Sequence, residues 1–249
     1  MRTIYEPRGK AKEYCEEIKG EFYSNLALNI YKGCPHNCIY CYVPSVLRKT
    51  KEDFHSCFEP RDNIVEETKK RLAKGDIVGK TIFLSFTSDP FPIGCDHTPT
   101  YEIIKAIKDT GNFVKILTKG EPDLLELKKH LTKDDIFGVT ISCDTEKAKE
   151  VEPNATDPRA RIGSLGMIQA FTDCKTFVSC EPVYEPEFIY RLITNCGYID
   201  EYKIGKLNYA SSDINWGGFG RECERLCIES GRKYMIKADL RKEISEVTQ

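Results

Sequence analysis

The sequence predicts an α/β fold built on a parallel sheet. Two observations carry that prediction. Short runs rich in β-branched and aromatic residues alternate with longer helical patterns, six times between residues 26 and 231. Helix start signals and terminal glycines punctuate those patterns in the right places. At 249 residues the chain is also long enough for one large core.

The strand candidates are 26–31, 81–86 (Thr-Ile-Phe-Leu-Ser-Phe), 113–118 (Phe-Val-Lys-Ile-Leu-Thr), 137–142 (Phe-Gly-Val-Thr-Ile-Ser), 176–180 (Thr-Phe-Val-Ser-Cys) and 202–207 (Tyr-Lys-Ile-Gly-Lys-Leu). Helical patterns follow at 61–74, 99–110, 122–131, 158–171, 186–195 and 219–230. Pro60 precedes the first, Thr98-Pro99 opens the second, Glu121-Pro122-Asp123 the third and Asp157-Pro158 the fourth. Gly75, Gly111 and Gly231 follow helix ends, where a left-handed residue is favoured. Short parallel strands with right-handed crossovers curl into a barrel or stay open, and six units are too few for a closed eight-fold barrel. No linker, repeat or low-complexity tract divides the chain, so residues 1–249 read as a single domain. Within it, 1–25 is a polar lead-in with a short helix near 10–18, 26–231 the sheet with its helices, and 232–249 a C-terminal extension. Trp216-Gly217-Gly218-Phe219-Gly220 reads as a flexible loop suited to a lid.

Composition narrows the class. Hydrophobic content of 40% and charged content of 31% are ordinary for a globular protein. A net charge of −2 gives no whole-chain basic signature for nucleic acid. No apolar run approaches a membrane span, and the first residues lack a signal-peptide core, so a cytoplasmic location and no membrane contact are expected. Twelve cysteines would frame disulfides in a small secreted chain; in a reducing compartment they suit thiols and metal ligation.

Chemistry concentrates in Cys34-Pro35-His36-Asn37-Cys38-Ile39-Tyr40-Cys41, a C-x3-C-x2-C run directly after the first strand. Three soft thiolates on so short a loop suit an iron–sulfur cluster or a zinc ion. A zinc site, the core of a nucleic-acid-binding module, would need Cys57 or His36 as fourth ligand. A cubane cluster is usually held by four cysteines, and here the local run supplies three, leaving one iron open.

This spacing, with Tyr40 before the last cysteine, resembles the signature of the radical S-adenosylmethionine (SAM) superfamily. The resemblance implies a six-stranded partial (β/α) barrel of the radical SAM type, with a [4Fe–4S] cluster on Cys34, Cys38 and Cys41. It further implies S-adenosyl-L-methionine on the open iron, reductive cleavage to a 5′-deoxyadenosyl radical, and hydrogen abstraction from a substrate. An external electron donor, a flavodoxin or ferredoxin, is implied with it. Functional groups of such folds gather at the C-terminal strand ends, and each end here offers some. Ser88 and Asp89 in Thr87-Ser88-Asp89-Pro90 suit the methionine ammonium, and Lys119 suits its carboxylate. Ser142 and Asp144 suit ribose hydroxyls, Glu181 brings a carboxylate to the mouth, and Lys206 and Asn208 end the sixth strand. Tyr40 is expected to pack against or contact the adenine.

The resemblance sharpens over longer blocks: Tyr5-Glu6-Pro7-Arg8-Gly9-Lys10-Ala11, Asn29-Ile30-Tyr31-Lys32-Gly33-Cys34, Glu152-Pro153, Ser179-Cys180-Glu181-Pro182-Val183 and Lys203-Ile204-Gly205-Lys206-Leu207-Asn208-Tyr209. Together with Thr87 to Pro90 these are similar to the spore photoproduct lyase-like branch. In that branch a serine and a lysine matching Ser88 and Lys119 contact SAM, and a tyrosine pair matches Tyr40 and Tyr42. A nucleic-acid lesion is the substrate class so implied. One position departs: the hydrogen-donating cysteine of the lyase corresponds to Phe86, which cannot return a hydrogen atom. Cys95 and Cys143, which follow the second and fourth strands, are the candidate substitutes. Arg48, Lys49, Lys51, Arg159 and Arg161 are candidate phosphate contacts, although such charge runs are ordinarily solvated. Cys223 and Cys227 share a helix face and, with Cys196, lack a fourth ligand for a second metal; core packing is their expected role.

Overall fold

In the computed structural model, residues 3–8, 11–12, 26–208 and 210–246 are described. Most of the helix expected near 10–18, and Tyr209, lie outside them. Seven parallel strands form one sheet in the order of the chain: β1 (Leu26–Leu28), β2 (Thr81–Leu84), β3 (Phe113–Thr118), β4 (Ile136–Thr140), β5 (Lys175–Cys180), β6 (Glu201–Ile204) and β7 (Lys233–Ile236). The helices are α1 (Val43–Leu47), α2 (Lys51–Ser56), α3 (Ile64–Leu72), α4 (Thr98–Asp109), α5 (Leu124–Leu127), α6 (Thr145–Val151), α7 (Pro158–Phe171), α8 (Pro186–Asn195), α9 (Trp216–Glu229) and α10 (Ala238–Glu246).

Sequential order with every pair parallel has one consequence. Right-handed crossovers that always step the same way put all the helices on one face. The twisted sheet then curls with its other face inward, and β1 and β7, which do not pair, leave the barrel open. Alternation along the strands follows this division. Ile82, Leu84, Val114, Ile116, Phe137, Val139, Val178, Cys180, Tyr202 and Ile204 join one continuous core with the helices. Their neighbours face the concave side, where Ala27 and Phe83 form a separate small cluster with Tyr5, Phe86 and Leu117. Deeper in the concave side the Phe177 ring lies between two buried lysines, Lys115 at 5.4 Å and Lys203 at 5.3 Å. Lys203 is also 3.7 Å from Glu201.

The partial barrel is the fold expected, with one strand more. The segment taken as a C-terminal extension from residue 232 supplies β7, which pairs with β6 from Glu201↔Lys233 to Ile204↔Ile236, and then α10. A second correction concerns residues 216–220, which open α9 and are no loop. Asn215 caps that helix by accepting the Gly218 N–H at 2.9 Å. Gly220 is there for packing, because a Cβ at that position would meet the Ile244 side chain of α10 at 2.6 Å. Helices α1, α2 and α6 were not anticipated; each is under two turns and too short to show a period. The lead-in does dock on the sheet, through an antiparallel bridge in which Tyr5 and Ala27 exchange N–H···O bonds of 3.0 and 2.8 Å. No helix among the described residues is long and apolar enough to cross a membrane.

Phe177 occupies its place only because β4 carries a glycine opposite. A Cβ on Gly138, the register partner of Phe177, would lie 2.1 Å from the ring. Gly138→Ala is therefore expected to cost about 1–3 kcal/mol by overpacking, read as a lower urea midpoint. Adding Phe177→Leu should recover most of that loss; an equal loss in both backgrounds would contradict the packing.

Candidate active site

The strand ends and the cysteine loop enclose one cavity of about 900 Å³. Cys34, Cys38 and Cys41 line one side of it, carried by the loop that leaves β1. The loop is tightly fixed. The Cys41 N–H donates to Cys38 O at 3.0 Å, and the Cys34 N–H to Phe54 O at 3.3 Å. Gly33 lets the loop approach the end of α2, since a Cβ there would be 1.6 Å from Cys57 O. Lys51 reaches back from α2 to Ile39 O at 2.8 Å.

The electrostatics of the three thiols pull in two directions. Burial raises the pKa of all three, Cys38 to about 11, and each of Cys34 and Cys38 also feels a neighbouring cysteine of the loop. Backbone N–H groups of His36 and Val43 and the charge of Lys119 act the other way, favouring thiolates at Cys34 and Cys41. That donor set is ready for a positive group. Among the described residues, no three His, Cys, Asp or Glu side chains converge as ligands of a single metal ion. Of the extra ligands a zinc site would call on, one is turned to solvent and the other is already engaged. Cys57 is exposed, while buried His36 accepts the Ile93 N–H at 3.3 Å through Nε2 and sits 3.7 Å from Asp89. Burial lowers the His36 pKa to about 4, so it stays neutral.

Opposite the thiols lie Ser85, Ser88, Asp89, Thr118, Lys119, Glu181, Lys206, Asn208 and Lys237, from the ends of β2, β3, β5, β6 and β7. The hydroxyls of Ser85 and Ser88 are buried without a hydrogen-bond partner. A buried hydroxyl left unpaired is costly, so both point to a polar ligand. Asp89 also lines the cavity, but its carboxylate is engaged by protein. It accepts from Thr118 Oγ1 at 2.5 Å, Phe91 N at 2.9 Å and Lys119 N at 2.7 Å, so it shapes the end of β3. The Lys119 ammonium lies 5.6 Å from the centre of the Tyr40 ring. Burial works against its charge, yet Cys38, Glu152 and Asp89 around it raise its pKa, so it is a cation. Glu181 accepts from Asn208 at 3.1 Å and pairs with Lys237, so β6 and β7 together hold the carboxylate expected at the mouth.

Two expected residues are not brought to the cavity. Ser142 and Cys143 are fully buried behind it. The Ser142 hydroxyl donates to Glu152 at 2.7 Å, and Cys143 packs with Ala148 and Val151. Cys95 likewise lies outside the lining and donates its thiol to Phe58 O at 3.4 Å. The tyrosine pair divides: Tyr40 turns its hydroxyl away onto Glu152, whereas Tyr42 reaches Phe86 O across the cavity at 3.5 Å. Asp144 is bound by Arg159 at 2.7 and 2.8 Å, and Arg161 is no surface phosphate contact. Arg161 is 1% exposed and pairs with Glu152, which is 2% exposed. Cys180, Cys223 and Cys227 are core thiols, and Cys196 packs against the same core.

Sequence reasoning missed the Glu152–Arg161 pair, whose only signal was Glu152-Pro153 nine residues ahead of an arginine. Burial alone would raise the Glu152 pKa; Arg161 and Lys119 outweigh it and hold the carboxylate below its ordinary value. Arg161 completes its fork on Thr140 O at 2.6 Å and Thr156 O at 2.7 Å.

No protein-family model matches the chain. It is 28% identical over 180 residues to an uncharacterized protein of Acidianus two-tailed virus, covering 67% of this chain and 58% of that one. It is 25% identical over 168 residues to an uncharacterized protein of Mycobacterium tuberculosis, covering 61% and 48%. The chain thus spans about half the length of the mycobacterial relatives it matches. Solved structures with the same fold include a mutant spore photoproduct lyase (TM-score 0.64, 13% identity, 88% of this chain and 78% of that one). Another is SuiB of Streptococcus suis bound to S-adenosylmethionine (TM-score 0.62, 13% identity, 90% and 49%). A third is a lyase double mutant with bound AdoMet and dinucleoside spore photoproduct (TM-score 0.56, 16% identity, 85% and 63%). At these identities the likeness establishes the fold alone, a partial barrel shared with these proteins.

The buried pair has a testable cost. Arg161→Met strands the Glu152 charge and should lower stability by about 3–5 kcal/mol. Arg159→Ala, at an exposed pair, should leave the urea midpoint nearly unchanged. Equal effects would contradict the burial described.

Proposed function

We propose that this chain is a radical SAM enzyme, in which Cys34, Cys38 and Cys41 hold a [4Fe–4S] cluster and S-adenosyl-L-methionine binds beside it. One observation supports this above the others: Cys34, Cys38, Cys41 and Lys119 line a single cavity at the strand ends together with Ser85 and Ser88, whose buried hydroxyls have no partner. When bound, the cluster would supply the electron for reductive cleavage of SAM, the chemistry that opens hydrogen abstraction from a substrate.

The chain's own residues orient and enclose. Lys119 pairs with the SAM carboxylate, and Ser85 and Ser88 receive the ammonium or hydroxyl protons of the same molecule. Asp89 acts through the backbone of Lys119 rather than on the ligand. Glu181, steadied by Lys237 and Asn208, accepts hydroxyls at the mouth. Tyr40 presents its ring to the cavity, while its hydroxyl stays on Glu152. Hydrogen return falls to Tyr42, whose hydroxyl stands beside Phe86, in place of the buried Cys143. Val43, Val46, Phe83, Phe86, Leu117 and Met235 give the cavity apolar walls that exclude water from a radical. A low-potential donor such as a flavodoxin or ferredoxin supplies the electron, in a cytoplasmic setting.

The substrate reading follows from the walls. The rings of Phe83 and Phe86 stack at 4.4 Å and offer an aromatic face, which suits a flat group such as the base of a nucleic-acid lesion. The solved neighbours carry a dinucleoside photoproduct in one case and a precursor peptide in another, so the fold by itself does not choose.

The test is anaerobic reconstitution with iron and sulfide, followed by dithionite and SAM. Wild type should form 5′-deoxyadenosine, and a variant combining Cys34→Ala, Cys38→Ala and Cys41→Ala should form none. Lys119→Ala should raise the SAM concentration for half-maximal cleavage about tenfold, as expected for a lost charge-assisted contact. Stoichiometric zinc without iron uptake would overturn the assignment.

A further inference from the structure

The cysteine loop is fastened along one side by a segment that none of the chemistry above requires. Residues 151–156, at the end of α6, run beside residues 35–40. The Ile39 N–H donates to Val151 O at 3.0 Å, the Asn154 N–H to His36 O at 3.2 Å, and the Asn154 side-chain amide to Pro35 O at 3.0 Å. The Tyr40 hydroxyl donates to Glu152. The same segment is itself tied down on its far side. Glu152 accepts from Ser142 and pairs with Arg161, whose remaining N–H groups hold Thr140 O and Thr156 O. The Thr156 N–H donates to Lys119 O at 3.0 Å, which joins this clamp to the end of β3.

We propose that residues 151–156 form a preorganising clamp that holds the cysteine loop in its ligating shape before any cluster is loaded, with Glu152 a positioning residue acting through Tyr40. Two considerations carry this. The bonds to loop residues 35, 36, 39 and 40 flank Cys38 on both sides, so the clamp fixes the backbone on which the middle thiol stands. Glu152 is buried and ionised, and leaving such a carboxylate in the interior is unfavourable unless its acceptor sites are filled. The pair with Arg161 fills one side, and Ser142 and Tyr40 fill the other, so the loop completes a network whose other members belong to β4, α7 and the β3 end.

The proposal rests on the cluster assignment only for what the loop holds. The clamp is testable on metal-free protein, so failure of one is separable from failure of the other. Glu152→Gln would leave Arg161 unpaired and risks misfolding, so the informative variants are Asn154→Ala, at an exposed residue, and Tyr40→Phe, which keeps the buried pair. Each removes one hydrogen bond of about 1 kcal/mol. Amide exchange of residues 35–41 in the metal-free protein should quicken about fivefold in each, with β4 and α7 unchanged. Loss of iron from reconstituted protein to a chelator should quicken by a similar factor. Unchanged exchange in the loop would overturn the clamp. So would equal acceleration along the whole chain, which would mean that these residues serve global stability only.

Discussion

A carboxylate buried at the end of α6 sets the terms for the site. Glu152 is ionised in the interior because Arg161 reaches it from α7, and the two charges cannot be separated without leaving one of them unpaired. That requirement fixes where α7 starts relative to β4, through Arg161 on Thr140 O. It also fixes where the cysteine loop lies, through Tyr40. The electrostatics of the cavity depend on the same group, since Glu152, Cys38 and Asp89 sustain the charge of Lys119 against its burial.

The barrel supplies what a pair of charges cannot, which is convergence. Seven parallel strands in chain order deliver seven C-terminal ends to one rim, and loops from five of them carry the polar groups opposite the thiols. The seventh strand matters here. Lys237, just past β7, pairs with Glu181 past β5, so a side-chain pair ties the last strand to the rim across β6. The concave face below is filled by Phe177, with Gly138 opposite and Lys115 and Lys203 beside it, which gives the cavity a floor.

Much of this was legible because the signals are local. C-x3-C-x2-C after an apolar run, and hydroxyls, a lysine and a carboxylate at strand ends, are patterns of neighbouring residues. Period-2 and period-3.6 reading located six of the seven strands. What it could not reach were contacts between distant segments. Ser142 looked available at the end of β4, but Glu152, ten residues later, returns to take its hydroxyl. Arg161 looked like surface because its sequence neighbours are charged, whereas helix α7 turns it to the interior. The glycines at 217, 218 and 220 suggested a lid, whereas they open α9, with Gly218 against the Asn215 cap and Gly220 against α10. The tyrosine pair was read as one feature, yet burial of Glu152 on one side and the cavity on the other separates their roles.

The central claim is that Cys34, Cys38 and Cys41 hold a cluster with an iron open to SAM. Electron paramagnetic resonance of anaerobically reconstituted, dithionite-reduced protein, recorded with and without SAM, addresses it directly. The account predicts about four irons per chain and a reduced-cluster signal whose g values move when SAM is added. A signal indifferent to SAM, or a protein that takes up zinc and no iron, would contradict it.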